Sequence, residues 1–67
     1  MTIEAAFLAG LASVRASGLP AKGNDVAVLA ARAVFEKRAR GKEFDDRFPT
    51  DGPLYARRVI LDAYSLG

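Results

Sequence analysis

Three stretches of helical length carry apolar residues at intervals of three and four, and glycines and prolines separate them. Segment one spans about residues 2–16, segment two about 25–40 and segment three about 53–65. No stretch alternates apolar and polar residues with the period of two that a half-buried strand shows. The pattern therefore predicts an all-α protein, a small three-helix bundle that forms a single domain over residues 1–67.

Segment one has the clearest boundaries. Thr2 is a suitable N-cap for the first turn, and Gly18 followed by Pro20 stops the helix. With about 100° of rotation per residue, one sector of this helix collects its larger apolar side chains. These are Ile3, Phe7, Leu11 and Val14. We expect this stripe to face the core.

Segment two is apolar all round in its first half, Val26–Ala31. A helix without a polar face is buried on several sides. We therefore expect segment two to lie at the centre of the bundle. Asn24 or Asp25 is expected as its N-cap, and Gly41 as the residue that ends it.

Segment three is expected to begin at Pro53, because proline is favoured at the first position of a helix. Its inner face is predicted to consist of Leu54, Ile60, Leu61 and Tyr64. The connection before it contains Phe44 and Phe48, which a fully solvated loop would not usually hold. We expect these rings to cover the end of the bundle, with a short additional helical turn near residues 43–48 as an alternative.

The composition limits the chemistry that the chain can perform. It has no Cys, His or Trp, so disulfides are excluded and a zinc site is nearly excluded. No Ser or Thr stands in a recognisable nucleophile context, and general acid–base catalysis would have to come from Asp, Glu, Lys or Tyr. We therefore expect no enzyme activity, no catalytic residues, no metal, no cofactor and no small-molecule substrate.

The side of segment one opposite the core stripe carries small apolar residues where a surface helix is usually polar. This Ala face consists of Ala5, Ala9, Ala12 and Ala16. Alanine is also the best helix former, which is a simpler explanation of the same residues. A chain of this length, however, has a small core and benefits from burial against another chain. The favoured hypothesis is an interaction or assembly module that binds itself or a larger protein through the Ala face, with Phe44 and Phe48 as further contacts.

A basic run offers a second interpretation, in which the chain binds nucleic acid. The residues that would contact phosphate are Lys37, Arg38, Arg40, Lys42, Arg57 and Arg58. Ion pairing within segment two explains part of the same pattern, because Arg32, Glu36 and Arg40 follow each other at intervals of four. Phosphate binding should weaken steeply as salt rises, whereas an apolar helix interface should not.

Charge and hydropathy give only coarse information on location. A net charge of +2 does not by itself indicate a nucleic-acid or membrane partner. The apolar stretch near the N-terminus follows Glu4 instead of basic residues, and it is shorter than the roughly 20 residues that span a bilayer. We expect a cytoplasmic protein with a protein partner, homo-oligomeric or heteromeric, and no membrane contact.

Overall fold

The computed structural model describes residues 2–41 and 48–64. In this part of the chain it contains no strand and three α-helices, which are α1 (Ile3–Ala16), α2 (Val26–Gly41) and α3 (Phe48–Ala63). The predicted all-α bundle of three helices is confirmed. The additional turn predicted near residues 43–48 falls outside the described residues, apart from Phe48, which opens α3.

Local signals in the sequence fix both ends of α1. The Oγ1 atom of Thr2 accepts a hydrogen bond from the main-chain N–H of Ala5 at 3.0 Å, as expected of an N-cap. After the helix, Gly18 adopts a φ of 102°, and its N–H donates to the carbonyl of Arg15. Glycine adopts this left-handed conformation without a steric cost, which is why it ends the helix here.

The core lies between the three helices and contains a chain of aromatic rings. The ring centroids of Phe7 in α1 and Phe35 in α2 lie 5.8 Å apart, and Phe35 lies 5.9 Å from Tyr55 in α3. Tilted pairs at these separations add to the free energy that burial provides. The predicted stripe of α1 faces this core, with Phe7, Leu11 and Val14 buried and Ile3 partly buried.

The central helix of the bundle is α3, and the prediction that segment two lies at the centre is wrong. Helix α3 packs along both α1 and α2, whereas those two helices meet each other over only a short stretch. Several apolar residues of α2 face solvent, among them Val26 at 84% exposure and Leu29 at 52%. Helix α3 can take the central place because small residues on its buried side, Gly52 and Ala56, admit close neighbours.

Helix α3 begins at Phe48, several residues before the predicted start at Pro53. Pro49 lies in the first turn, where the missing N–H of a proline costs little. Pro53 therefore lies inside the helix, and we attribute its tolerance there to packing of α3 on both neighbours. Of the predicted inner face, Ile60 is buried, Leu61 and Tyr64 are partly buried, and Leu54 is 61% exposed. The prediction for Leu54 is wrong because the helical repeat places it on the side of α3 opposite the buried residues Ala56, Val59 and Ile60.

Helices α1 and α3 approach each other most closely at Gly10. A Cβ atom added there would lie 2.6 Å from Cβ of Ala56 and 2.8 Å from both the main-chain N of Arg57 and the carbonyl O of Pro53. Backbone atoms on the facing helix cannot rotate away as a flexible side chain can. Glycine inside a helix costs about 1 kcal/mol relative to alanine. This glycine is nevertheless required, because any side chain would separate α1 from α3.

Replacing Gly10 by Ala should destabilise the protein by about 1–3 kcal/mol, since the added methyl group overpacks the contact between α1 and α3. In a domain of this size, that loss lowers Tm by about 5–20 °C. The matched control is Gly23→Ala, because no atom lies within 4 Å of the corresponding Cβ position. Thermal melts followed by circular dichroism measure both variants, and an unchanged Tm for Gly10→Ala would contradict the close approach.

Candidate interaction surface

The first half of helix α2 is apolar on its exposed side as well as on its buried side. Its buried stripe consists of Val28, Ala31, Phe35 and Ala39, which the helical repeat places on one face. The opposite side, which we name the α2 outer face, consists of Val26, Leu29, Ala30, Ala33 and Val34. All of these residues are exposed. They contribute little to the core of the single chain, so the core does not explain why they are apolar.

Exposed apolar residues are informative when they are contiguous. Single apolar residues are common on protein surfaces, whereas a contiguous patch marks a place where another molecule binds. The α2 outer face is such a patch, because its residues follow each other along more than two turns of one helix. Leu8 on α1 and Leu54 on α3 are also exposed, but each lies on a different helix.

An open groove of about 330 Å³ runs between α2 and α3, beside the α2 outer face. Its lining consists of Ala30, Ala31, Val34, Arg38, Val59, Asp62 and Ala63. We name this feature the α2/α3 groove. It shares Ala30 and Val34 with the α2 outer face, so the two form one continuous surface. The small side chains in the groove allow a neighbouring helix to approach closely.

Two tyrosines, Tyr55 in α3 and Tyr64 directly after it, connect α3 to α2 near opposite ends of the groove. An Nη1–H of Arg38, in the last turn of α2, donates to the hydroxyl of Tyr55 at 3.3 Å. At the other end, the hydroxyl of Tyr64 donates to Oδ2 of Asp25 at 3.0 Å. Since Asp25 directly precedes α2, the two helices run antiparallel. These ties hold the two walls of the groove in place.

Asp25 has two roles at its end of the groove. Its carbonyl accepts the N–H of Leu29 at 2.9 Å, so its main chain lies where the N-cap was predicted. Its carboxylate turns back to the preceding loop and accepts the main-chain N–H of Lys22 at 3.0 Å as well as the hydroxyl of Tyr64. The hydrogen bond from Lys22, followed by that from Tyr64, lowers the pKa of Asp25. Loss of hydration, followed by the bond to Asp25, raises the pKa of Tyr64.

Ion pairs connect α2 to the N-terminal end of α1. The Nη2 atom of Arg32 lies 3.2 Å from Oε1 of Glu4, and its Nε atom lies 3.1 Å from Oε1 of Glu36. The Nη2 atom of Arg40 lies 3.9 Å from Oε2 of Glu36. The hydrogen bond to Glu36, and to a smaller extent that to Glu4, raises the pKa of Arg32. The ion pairing predicted along segment two is confirmed.

The basic residues that were candidates for nucleic-acid binding are distributed over two helices. Lys37, Arg38 and Arg40 are exposed on α2, Arg58 is exposed on α3, and Lys42 lies outside the described residues. Arg57 is directed towards α1, where its Nη2–H donates to Oγ of Ser17 at 3.3 Å. Arg38 and Arg40 also have partners within the protein, as described above. Arg38, Arg40 and Arg57 therefore each contact a different residue within the protein.

The Ala face of α1 lies on the outside of the bundle. Ala5, Ala12 and Ala16 are exposed, and Ala9 is half-buried. Leu8, which is 49% exposed, adds one large apolar side chain to this side of α1. The two phenylalanines linked to the same hypothesis give no further information, because Phe44 and the side chain of Phe48 lie outside the described residues.

Other kinds of site find no support in residues 2–41 and 48–64. Within these ranges no group of three or more potential metal ligands comes together. None of the described helices combines the length and the hydropathy needed to cross a bilayer. Comparisons with protein-family models, with curated proteins and with solved structures found no match.

Reasoning from the sequence missed the α2 outer face because it assigned Val26–Ala31 to the centre of the bundle. The spacing of the largest side chains contains the signal that would have found it. Val28 and Phe35 lie seven residues apart, so they face the same side of a helix. Val26 and Ala33 then fall on the opposite side. No comparable signal marks Asp62, because its position in the groove depends on how α3 packs against α2.

Replacing Tyr64 by Phe should make stability less dependent on acid, because it removes one of the hydrogen bonds that lower the pKa of Asp25. A carboxyl group whose pKa is lowered by folding contributes stability above its unfolded-state pKa of about 4 and loses it as the pH falls through the folded-state value. Urea titrations from neutral pH to about pH 2 measure this decline in the free energy of unfolding.

The matched control is Tyr55→Phe, which makes the same chemical change at the other tie. It should keep the contribution of Asp25 to the acid dependence, since Tyr64 still donates to this carboxylate. Tyr64 has a raised pKa, so its contribution is present below about pH 10 and is lost as the pH rises through the folded-state value. Equal acid dependence in Tyr64→Phe and wild type would contradict the role given to this tie.

Proposed function

We propose that this protein is a non-catalytic interaction module that binds another protein chain, a second copy or a larger partner, through the α2 outer face. The observation that carries the proposal is the exposure of Val26, Leu29 and Val34 on one side of α2, next to an apolar groove. Apolar side chains concentrated at the middle of a contact surface are typical of protein interfaces. The small core expected of so short a chain is a second argument for burial against a partner.

The free energy available from burying the apolar side chains of the α2 outer face indicates how large the contact must be. Burying a Val or Leu side chain fully is worth about 1.5–3 kcal/mol. The fractions still exposed at Val26, Leu29 and Val34 therefore supply roughly 3–5 kcal/mol in total. A complex with a Kd of 1 µM needs about 8 kcal/mol after the cost of association. The α2 outer face must then act together with neighbouring surface, and the α2/α3 groove is continuous with it.

The size of a stable interface supports the same conclusion. A standard interface buries about 800 Å² on each partner, which is nearly a fifth of the 4417 Å² surface of this protein. One face of a single 16-residue helix is too narrow to provide that area. A partner that covers the α2 outer face would also have to extend across α3, so the proposed contact involves both helices.

The Ala face of α1 is the second candidate surface for the same function. Its members Ala5, Ala12 and Ala16 allow close approach of another backbone, but each buries little apolar area. Leu8 is its single large apolar contributor among the described residues. A partner could therefore bury more apolar area on α2 than on α1, which favours α2 as the main binding surface.

Site-specific photo-crosslinking tests the proposal in the cells that make the protein. A photoreactive residue at position 29, on the α2 outer face, should give a discrete covalent adduct to a second copy or to another protein. The same residue at position 22 serves as the control, because Lys22 is an exposed polar residue in the loop before α2. Position 12 reports on the Ala face in parallel. The absence of an adduct at position 29 would overturn the proposal, and an adduct at position 12 alone would place the contact on the Ala face of α1 instead.

Charged substitutions give a quantitative form of the same test. Leu29→Glu should weaken the association at least tenfold, about 1.4 kcal/mol, because a carboxylate would be placed in an apolar contact. The corresponding variant of the Ala face replaces Ala9 and Ala12 by Glu. If that variant, and not Leu29→Glu, abolishes association, the interface lies on α1. Light scattering and binding titrations at low and high salt measure both, and a steep loss with salt would indicate phosphate binding instead.

A further inference from the structure

The α2/α3 groove carries charges of opposite sign at its two ends. Arg38 lies at the end where it contacts Tyr55. Asp62 lies on α3 seven residues after Tyr55. This spacing places it about 10 Å from Tyr55, towards the end of the groove where Tyr64 contacts Asp25. Both charged side chains are exposed. The other described residues that line the groove are apolar. The groove therefore has a basic end, an apolar centre and an acidic end.

A surface with this pattern is complementary to itself after a two-fold rotation. An axis through the middle of the groove would bring Arg38 of one copy to Asp62 of the partner subunit, and would form the reciprocal pair at the other end. The apolar centre, with Val34 and Ala63, would pack on itself. Two-fold dimers use the same patch on both subunits, which is the arrangement that this pattern satisfies.

We propose that the α2/α3 groove is the contact surface of a two-fold homodimer in which Arg38 of each copy pairs with Asp62 of the partner subunit. This inference rests on the proposed function and names the partner as a second copy of this chain. Helices α2 and α3 of both copies then form a four-helix arrangement around the apolar centres of the two grooves.

The charged groups have the capacity for these pairs. A guanidinium has five N–H donors, so the single bond from Arg38 to Tyr55 leaves donors for a carboxylate. Within the described part of the chain, neither Arg38 nor Asp62 takes part in an ion pair. Pairs at the rim of an interface add little affinity and mainly select the orientation of the partners. The affinity comes from the apolar centre and from the adjoining α2 outer face.

Charge complementarity favours a second copy over a partner of one sign. An acidic helix laid along the groove would meet Asp62, and a basic helix would meet Arg38, so each would place like charges together at one end. A second copy in the two-fold orientation avoids both contacts. The same chain in the parallel orientation would place Arg38 beside Arg38 and Asp62 beside Asp62. The charges therefore specify one relative orientation of the two copies.

Charge-swapped variants test this dimer. Arg38→Asp leaves Asp at both ends of the groove, and Asp62→Arg leaves Arg at both ends. Each variant alone should dimerise at least tenfold more weakly than wild type at low salt. An equimolar mixture should form a heterodimer, because both pairs are then complementary. The double variant R38D/D62R should dimerise with itself. Sedimentation equilibrium and native mass spectrometry measure all of these states.

The control is Lys22→Asp, which reverses an exposed cation in the loop before α2, outside the groove lining, and should leave dimerisation within twofold of wild type. Circular dichroism melts at the lowest usable concentration establish that every variant folds. Heterodimer formation in the mixture provides the same information, since an unfolded chain would not pair. Rescue by mixing also separates a direct charge contact from a general loss of stability.

Two outcomes would overturn the homodimer. One is a wild-type protein that stays monomeric up to about 1 mM; the other is a dimer that neither single reversal weakens. If the crosslink from position 29 then leads to a different protein, the proposed function stands and only the choice of partner fails. If position 29 and position 12 give no adduct and the protein is monomeric, both the function and the dimer are wrong.

Discussion

The contact between α1 and α3 at Gly10 is the constraint on which the arrangement of the bundle depends. Because Gly10 has no Cβ, α1 can lie so close to α3 over this region that no side chain would fit between Gly10 and Ala56. Helix α3 then has α1 on one side and α2 on the other, which makes it the central helix. Helix α2 consequently uses one face for the core and keeps the other exposed. The apolar surface of α2 is exposed because α3, and not α2, lies in the middle of the bundle.

The position of α2 against α3 is set by polar contacts as well as by the core. Tyr55 and Tyr64 reach α2 near its two ends, through Arg38 and Asp25. Contacts of this kind reduce the freedom of the groove walls before any partner binds, and such preorganisation lowers the entropic cost of association. The bond from Tyr55 also holds the guanidinium of Arg38 at the end of the groove. Arg38 therefore contributes both to the fold and to the proposed contact.

Local features of the sequence predicted α1 almost completely. The cap at Thr2, the stop at Gly18 and the buried stripe around Phe7 depend on residues close to each other in the chain, and the structure confirms them. The start of α3 and the exposure of Leu54 depend instead on the packing of α3 between its neighbours. The hydrogen bond between Asp25 and Tyr64 joins residues 39 positions apart, which periodicity cannot detect. Of the candidate surfaces, the exposed Ala face could be predicted, whereas the α2 outer face required knowledge of the central helix.

Apolar and charged groups would contribute differently to the proposed contact, because apolar groups gain free energy from leaving water whereas exposed charges interact only weakly in water. In the proposed contact, the apolar side chains Leu29 and Val34 would gain free energy from leaving water in any orientation of the partner, so they would supply affinity without specifying that orientation. Exposed charges interact weakly in water, and salt screens them further. Their sign still discriminates between orientations, since unlike pairs are tolerated at a rim and like pairs are not. Among the described residues that line the groove, only Arg38 and Asp62 carry charge, and in the proposed dimer these two residues would suffice to select one relative orientation of the copies.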